Sequence, residues 1–350
     1  MRLGLISDSV LQGIESPGAQ IDQFCHDSVE ILGEKLMSRW LRSFVFGFTI
    51  LFAVASFSAA QQLYFTSESG QNIGLVNWPA GTVQTLLTTS GKPDSLVLNA
   101  NGQIIYSMPS AGQVWLFDPS TGSNTMLAGG LKYPRDMVIE PGGQTMLIGF
   151  YSPGGIVRYN FATGAVTTLS KKLGNVDGLA YDANGDLFAV DGHNQVCQID
   201  PVAGTVLKCI VLEPHHGVNG GDGMVYDSYT GQLWVSHDGQ IGNGLIEIPT
   251  DLSSFTLYQT GHILVPDGLA SDGQGNLYIG AGLRSIVQYN IPTDMIVKSV
   301  KAHGVDGCVL IPGTYASTKT PPSPSYNASA LVQVEGSPKA PSLTPADERR

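Results

Sequence analysis

The chain holds 350 residues, and only 13% of them are Asp, Glu, Lys or Arg, about half the usual share for a soluble domain. Its net charge of −11 argues against nucleic acid, whose phosphates call for a basic patch, and admits cationic partners, metal ions included. A mean hydropathy of +0.07 excludes a multi-span membrane protein, and 43 glycines suit short strands joined by tight turns.

The first predicted element is an export signal over residues 37–60. Arg39 and Arg42 form a basic start, Phe44 to Phe57 an apolar run, and Ser58-Ala59-Ala60 a small-residue cleavage site before Gln61. A membrane anchor is the competing reading, but the apolar run falls short of the roughly 20 residues that a span needs. Residues 1–36 sit ahead of this signal and read as a non-native upstream extension, with Met37 as the true start. The expected location is therefore secreted or periplasmic, with no stable membrane span after cleavage.

From residue 61 to 313 the sequence repeats itself with a period of about 40 residues. Six segments open alike: KPDSLVL at 92, YPRDMVI at 133, NVDGLAY at 175, GGDGMVY at 220, VPDGLAS at 265 and GVDGCVL at 304. Aligned on their acid, they bring Asp94, Asp136, Asp177, Asp222, Asp267 and Asp306 to one repeat position. Each opening strand meets a turn such as Asn99-Ala100-Asn101-Gly102 or Asp182-Ala183-Asn184-Gly185, and a second strand follows. A third strand, another turn and a fourth strand complete the unit, and no stretch of the body has helical periodicity.

Four antiparallel strands per repeat are the blade of a propeller. The predicted fold is all-β, a six-bladed β-propeller. Residues 62–90 hold only three strands and 304–312 supply a lone opening strand, so the first blade is closed by strands from both termini. Residues 314–350, rich in Pro, Ser and Thr, read as a disordered tail, with Asn327-Ala328-Ser329 as a glycosylation sequon in a host that uses one. Cys197 and Cys209 flank the turn Pro201-Val202-Ala203-Gly204, which suits a cross-strand disulfide and two separately buried thiols equally. Cys308 falls in an inner strand and is expected only to pack.

Blade topology sorts the loops onto two faces. Loops that enter first strands and loops that join second to third strands share one face. To that face go the six repeat acids, Glu68, Asp191 and Asp238, and every histidine after residue 60: His193, His215, His216, His237, His262 and His303. Binding residues gather on loops held by a rigid scaffold, and the channel mouth is the concave place where six blades converge. An Asp repeated in every blade also has a purely architectural reading, as an acceptor for backbone N–H groups in a turn. Converging carboxylates attract a cation, and hard oxygen ligands favour Ca²⁺ or Mg²⁺.

The stretch VPDGLASDGQGNLYIGAGLRSIVQYN at 265–290 resembles a blade of the senescence-marker-protein/gluconolactonase family and, almost as closely, an NHL repeat. NVDGLAYDANGDLFAVDGHNQVCQIDP at 175–201 leans to the NHL form. The resemblance implies one divalent ion, usually Ca²⁺, in the channel mouth and hydrolysis of lactones or esters. It puts metal-ligating roles on Asp267, Asp222 and Asp94, and water activation on Asp177, Asp222 or His237. Two rivals stand beside it. LYFTSESGQNIGLVN at 63–77 resembles a repeat of the virginiamycin B lyase family, metal-dependent lyases. The other rival is a non-enzymatic NHL-like module that binds a small molecule, a protein or a glycan on its loop face.

Overall fold

The computed structural model describes residues 61–312, apart from 152, 213–221, 238–242, 259–262, 264 and 283. The expected export signal, the upstream stretch and the tail lie outside the described residues, as do His215, His216, Asp238 and His262.

Six separate four-stranded antiparallel sheets make up the structure, one per repeat. Blade 1 takes its inner strand from the end of the chain, Val305–Leu310, and its other three from the beginning, Gln62–Ser67, Asn72–Asn77 and Thr82–Thr88. The inner strands of blades 2 to 6 are Leu96–Leu98, Pro134–Ile139, Val176–Tyr181, Met224–Asp227 and Pro266–Ser271. They touch one another in chain order around the ring. The closure read from the sequence is the one the structure adopts.

Burial falls from the axis outward. Every residue of Leu96–Leu98, Pro134–Ile139, Val176–Tyr181 and Val305–Leu310 is buried, while the outermost strand Thr82–Thr88 is largely exposed. That gradient explains the composition, because inner and second strands need near-continuous apolar runs and outer strands need only one buried side. Apolar clusters cross blade boundaries, as where Val97 and Ile105 of blade 2 pack with Met137 and Ile148 of blade 3. At the seam Trp78 sets its ring edge-on to Tyr278 of blade 6, centroids 5.0 Å apart. Its indole N–H donates to Gln288 at 2.8 Å. The join between the two chain ends is thus an interior contact like the others.

Turn chemistry accounts for the face opposite the mouth. Asn99 Oδ1 accepts from the backbone of Asn101 and Gln103, and Gly102 takes a φ of 74°. Asp182 and Asp272 do the same work in blades 4 and 6. Cys197 and Cys209 stand directly opposite in neighbouring strands of blade 4 and form a disulfide. Cys308 is a buried free thiol in blade 1, pushed up to about 12 by that burial.

Candidate functional site

Strand register shows what each repeat places at the channel mouth. In blade 6, Pro266 pairs with Ala281 and Leu269 with Ile279, and a bulge fills the interval. In blade 3, Pro134 pairs with Phe150 and Met137 with Ile148, with a bulge over the same interval. Leu269 and Met137 are therefore equivalent, and so are Asp267 and Arg135. The same alignment gives Asp306 in blade 1, Asp94 in blade 2, Asp177 in blade 4 and Asp222 in blade 5. The six-acid ring expected from the sequence is a ring of five acids and one arginine. Asp136 belongs to the next position along.

That next position is glycine in four blades, for a steric reason. A Cβ on Gly268 would lie 2.3 Å from the carbonyl oxygen of Asp306 in the following blade. Gly178 and Gly307 face the carbonyls of Asp222 and Asp94 in the same way, each at 2.9 Å. The Asp-Gly pair thus packs one inner strand against the next. Where blade 3 has Asp136 instead, the fully buried carboxylate spans the gap. It accepts from Met137 N at 2.6 Å, from Leu179 N of blade 4 at 2.5 Å and from Ser95 Oγ of blade 2 at 3.0 Å. Burial holds the carboxyl well above the usual range against those bonds. Asp136 is a brace between three blades, at the position where four other blades carry glycine.

Arg135 is 2% exposed. Its guanidinium lies 3.9 Å from Asp94 on one side and 3.9 Å from Asp177 on the other. Tyr151 and Tyr133 stack against it, with ring centroids 4.7 and 5.5 Å from the guanidinium carbon. Tyr133 adopts a left-handed φ of 56°. The equivalent residues Val265 and Gly304 are left-handed too, while Lys92 and Asn175 are not, so three of the described blades enter the inner strand through this turn, at a strain of about 1–2 kcal/mol for Tyr133.

The remaining acids are held with little solvent. Asp94, Asp177, Asp222, Asp267 and Asp306 are each between 4% and 7% exposed. Burial raises Asp177 to about 6, opposed by Arg135 and assisted by Asp191. Asp306 is raised well above the ordinary carboxylate range, first by burial and then by the charges of Asp267, Asp94 and Glu68. Its Oδ2 makes no hydrogen bond among the described residues. Glu68 is paired with Lys92 at 2.6 Å. Beside Asp177, Asp191 accepts from Gly174 N, from His193 N and from Gln195, and its Oδ1 lies 2.7 Å from His193 Nδ1.

The residues expected to carry chemistry are only partly assembled. Asp177, Asp222 and His237 occupy the same end of neighbouring blades. His237, however, is 1% exposed and lowered to about 4 by burial, so it is a neutral packed imidazole at neutral pH. Asp94, Asp222 and Asp267 sit on blades 2, 5 and 6. Among the described residues no group of three or more His, Cys, Asp or Glu side chains is arranged to hold a metal ion. Arg135 was missed because the acid of YPRDMVI drew the alignment. The proline and the apolar residue that frame the motif, Pro134 and Met137, carry the true register.

No protein-family model and no curated protein matches the chain. Solved structures do match. A chain of a nidogen/laminin complex aligns with a TM-score of 0.60 at 12% identity, over 71% of this chain and 97% of that one. Virginiamycin B lyase from Staphylococcus aureus aligns at 0.53 and 13% identity, over 79% and 92%. TolB from Acinetobacter baumannii aligns at 0.56 and 11% identity, over 71% and 65%. At such identities the likeness is one of fold, and it makes this chain a six-bladed β-propeller without assigning it to a family.

Proposed function

We propose that the protein is an exported binding propeller whose acidic channel mouth receives a positively charged group of its ligand. The observation that carries this reading is the gathering of five carboxylates, each at least nine-tenths buried, at one repeat position, where Arg135 reaches Asp94 and Asp177 and Asp306 pairs with no cationic side chain among the described residues and leaves its Oδ2 without a hydrogen bond. Buried carboxylates without a full set of counter-charges are costly, and an incoming cation relieves that cost. Export is supported by the signal at 37–60 and by the cross-strand disulfide, a bond that persists in oxidising compartments.

Thermal unfolding of the protein starting at Gln61 tests the reading. Millimolar Ca²⁺, Mg²⁺ or 1,4-diaminobutane is expected to raise the melting temperature by several degrees more than an equal ionic strength of NaCl. A melting temperature indifferent to all three overturns it. N-terminal sequencing of protein recovered outside the cytoplasm checks the cleavage before Gln61.

A second reading, hydrolysis of a lactone or ester, is favoured by Asp177. A buried carboxyl raised to about 6 is suited to proton transfer near neutral pH. A panel of lactones assayed from pH 5 to 8, with and without Ca²⁺, tests it. Turnover that survives Asp177→Asn removes Asp177 from that role.

A further inference from the structure

Arg135 breaks the symmetry of the ring, and the break has a direction. The inner strands follow one another around the axis in chain order, so blade 3 is flanked by blades 2 and 4 and faces blade 6. Its guanidinium reaches the acids of both flanking blades, Asp94 and Asp177. The other side of the ring holds Asp306 of blade 1, Asp267 of blade 6 and Asp222 of blade 5. Of the acids around Asp306, Asp94 has Arg135 and Glu68 has Lys92. Asp306 itself pairs with no cationic side chain among the described residues, and its Oδ2, on a residue 6% exposed, accepts no hydrogen bond. Asp177 Oδ1 is another buried acceptor without a hydrogen bond among the described residues, but Arg135 lies 3.9 Å from it.

Building on the proposed cation-binding role, we infer that the mouth seats a primary ammonium group against Asp306 with Asp267, on the side away from Arg135. Arg135 acts as a fixed counter-ion that neutralises the opposite half and so gives the ligand one orientation. An ammonium suits these donors better than a metal ion. It directs separate N–H bonds to individual carboxylate oxygens, whereas a divalent ion needs several oxygens converging at one point, an arrangement not found among the described residues.

Isothermal titration of the protein from Gln61 onward with 1,4-diaminobutane, Nα-acetyl-lysine amide and CaCl₂ tests the inference. The two amine probes separate a free amine from a lysine side chain. Both are expected to bind, with Asp306→Asn and Asp267→Asn each weakening the tighter one at least tenfold. Asp177→Asn, which alters the neutralised half, is expected to weaken it less than threefold. The two Asn variants on the open side keep the shape of the native side chain, and a cooperative melt for either one makes its titration readable. Equal losses in Asp177→Asn and Asp306→Asn overturn the assignment to one side. Binding of Ca²⁺ without binding of either amine overturns the ammonium while leaving a cation-binding mouth. Silence with all three probes ends both readings.

Discussion

The guanidinium of Arg135 stands 3.9 Å from the carboxylate of Asp177, two residues that occupy the same repeat position in adjacent blades. A charge of opposite sign has replaced one member of a ring of acids. Arg135→Met removes it while keeping much of the apolar stem under Tyr133 and Tyr151. Removing one partner of a buried pair typically costs about 3–5 kcal/mol. The 3.9 Å spacing on both sides points to the lower end of that range. Urea denaturation at pH 7.5 is the check, and the loss is expected to shrink at pH 5, where Asp177 takes up a proton.

Two buried groups pull the pH dependence in opposite directions. Asp177 is raised from 3.8 to about 6, so its neutral form suits the fold. Its contribution is fully present below about 3.8 and is lost as pH rises through 6. His237 is lowered from 6.5 to about 4, so its contribution is present above 6.5 and is lost as pH falls through 4. Over pH 4 to 6.5 the two offset each other. Asp177→Asn is expected to melt at lower temperature as the pH falls through that window, and His237→Gln at higher temperature. Melting curves of the two variants that run parallel to wild type contradict this pairing.

Gly268 and Gly102 separate two reasons for a glycine. A methyl at Gly268 meets the Asp306 carbonyl at 2.3 Å, an inner-strand contact that cannot shift without moving blade 1. A methyl at Gly102 meets nothing within 4 Å and is opposed only by its φ of 74°. Gly268→Ala is expected to cost about 3 kcal/mol by overpacking, and Gly102→Ala about 1 kcal/mol by backbone strain. Chemical denaturation of the two variants side by side measures the difference.

The disulfide gives a fourth test. Cys197 and Cys209 are 12 residues apart, and closing a loop of that size stabilises by about 3 kcal/mol in the chain-entropy account. Reduction with dithiothreitol is expected to lower the melting temperature of wild type and to leave the Cys197→Ser/Cys209→Ser double variant unmoved. Cys308, buried in blade 1, is expected to react with a thiol reagent only after unfolding.

The blade count and the shared closing blade were legible in the sequence because repetition multiplies weak local signals: each opening segment is ambiguous alone, and six in step are not. The site was legible only in outline. Asp136 and Arg135 are neighbours in the chain, and composition cannot say which of them faces the channel. The answer depends on the bulge between Pro134 and Met137, which turns one side chain toward the axis and the other into the seam with blade 4. His237 looked like a loop base because it ends a second strand. Its burial comes from packing against the third strand, where a Cβ on Gly244 would lie 2.9 Å from the imidazole. Cross-strand packing of that kind leaves no mark on local sequence.

Blade 1 draws its inner strand, Val305–Leu310, from the far end of the chain and the rest from residues 62–88. During synthesis the ring therefore stays open until nearly the last described residue has left the ribosome, and the three opening strands wait with one edge bare. This order of events is compatible with the proposed export, since a propeller that cannot shut early stays threadable. It also makes the end of the body its lock. A chain stopped before Val305 loses Asp306 and the inner edge of blade 1 together, so ring closure and a complete mouth arrive in the same step.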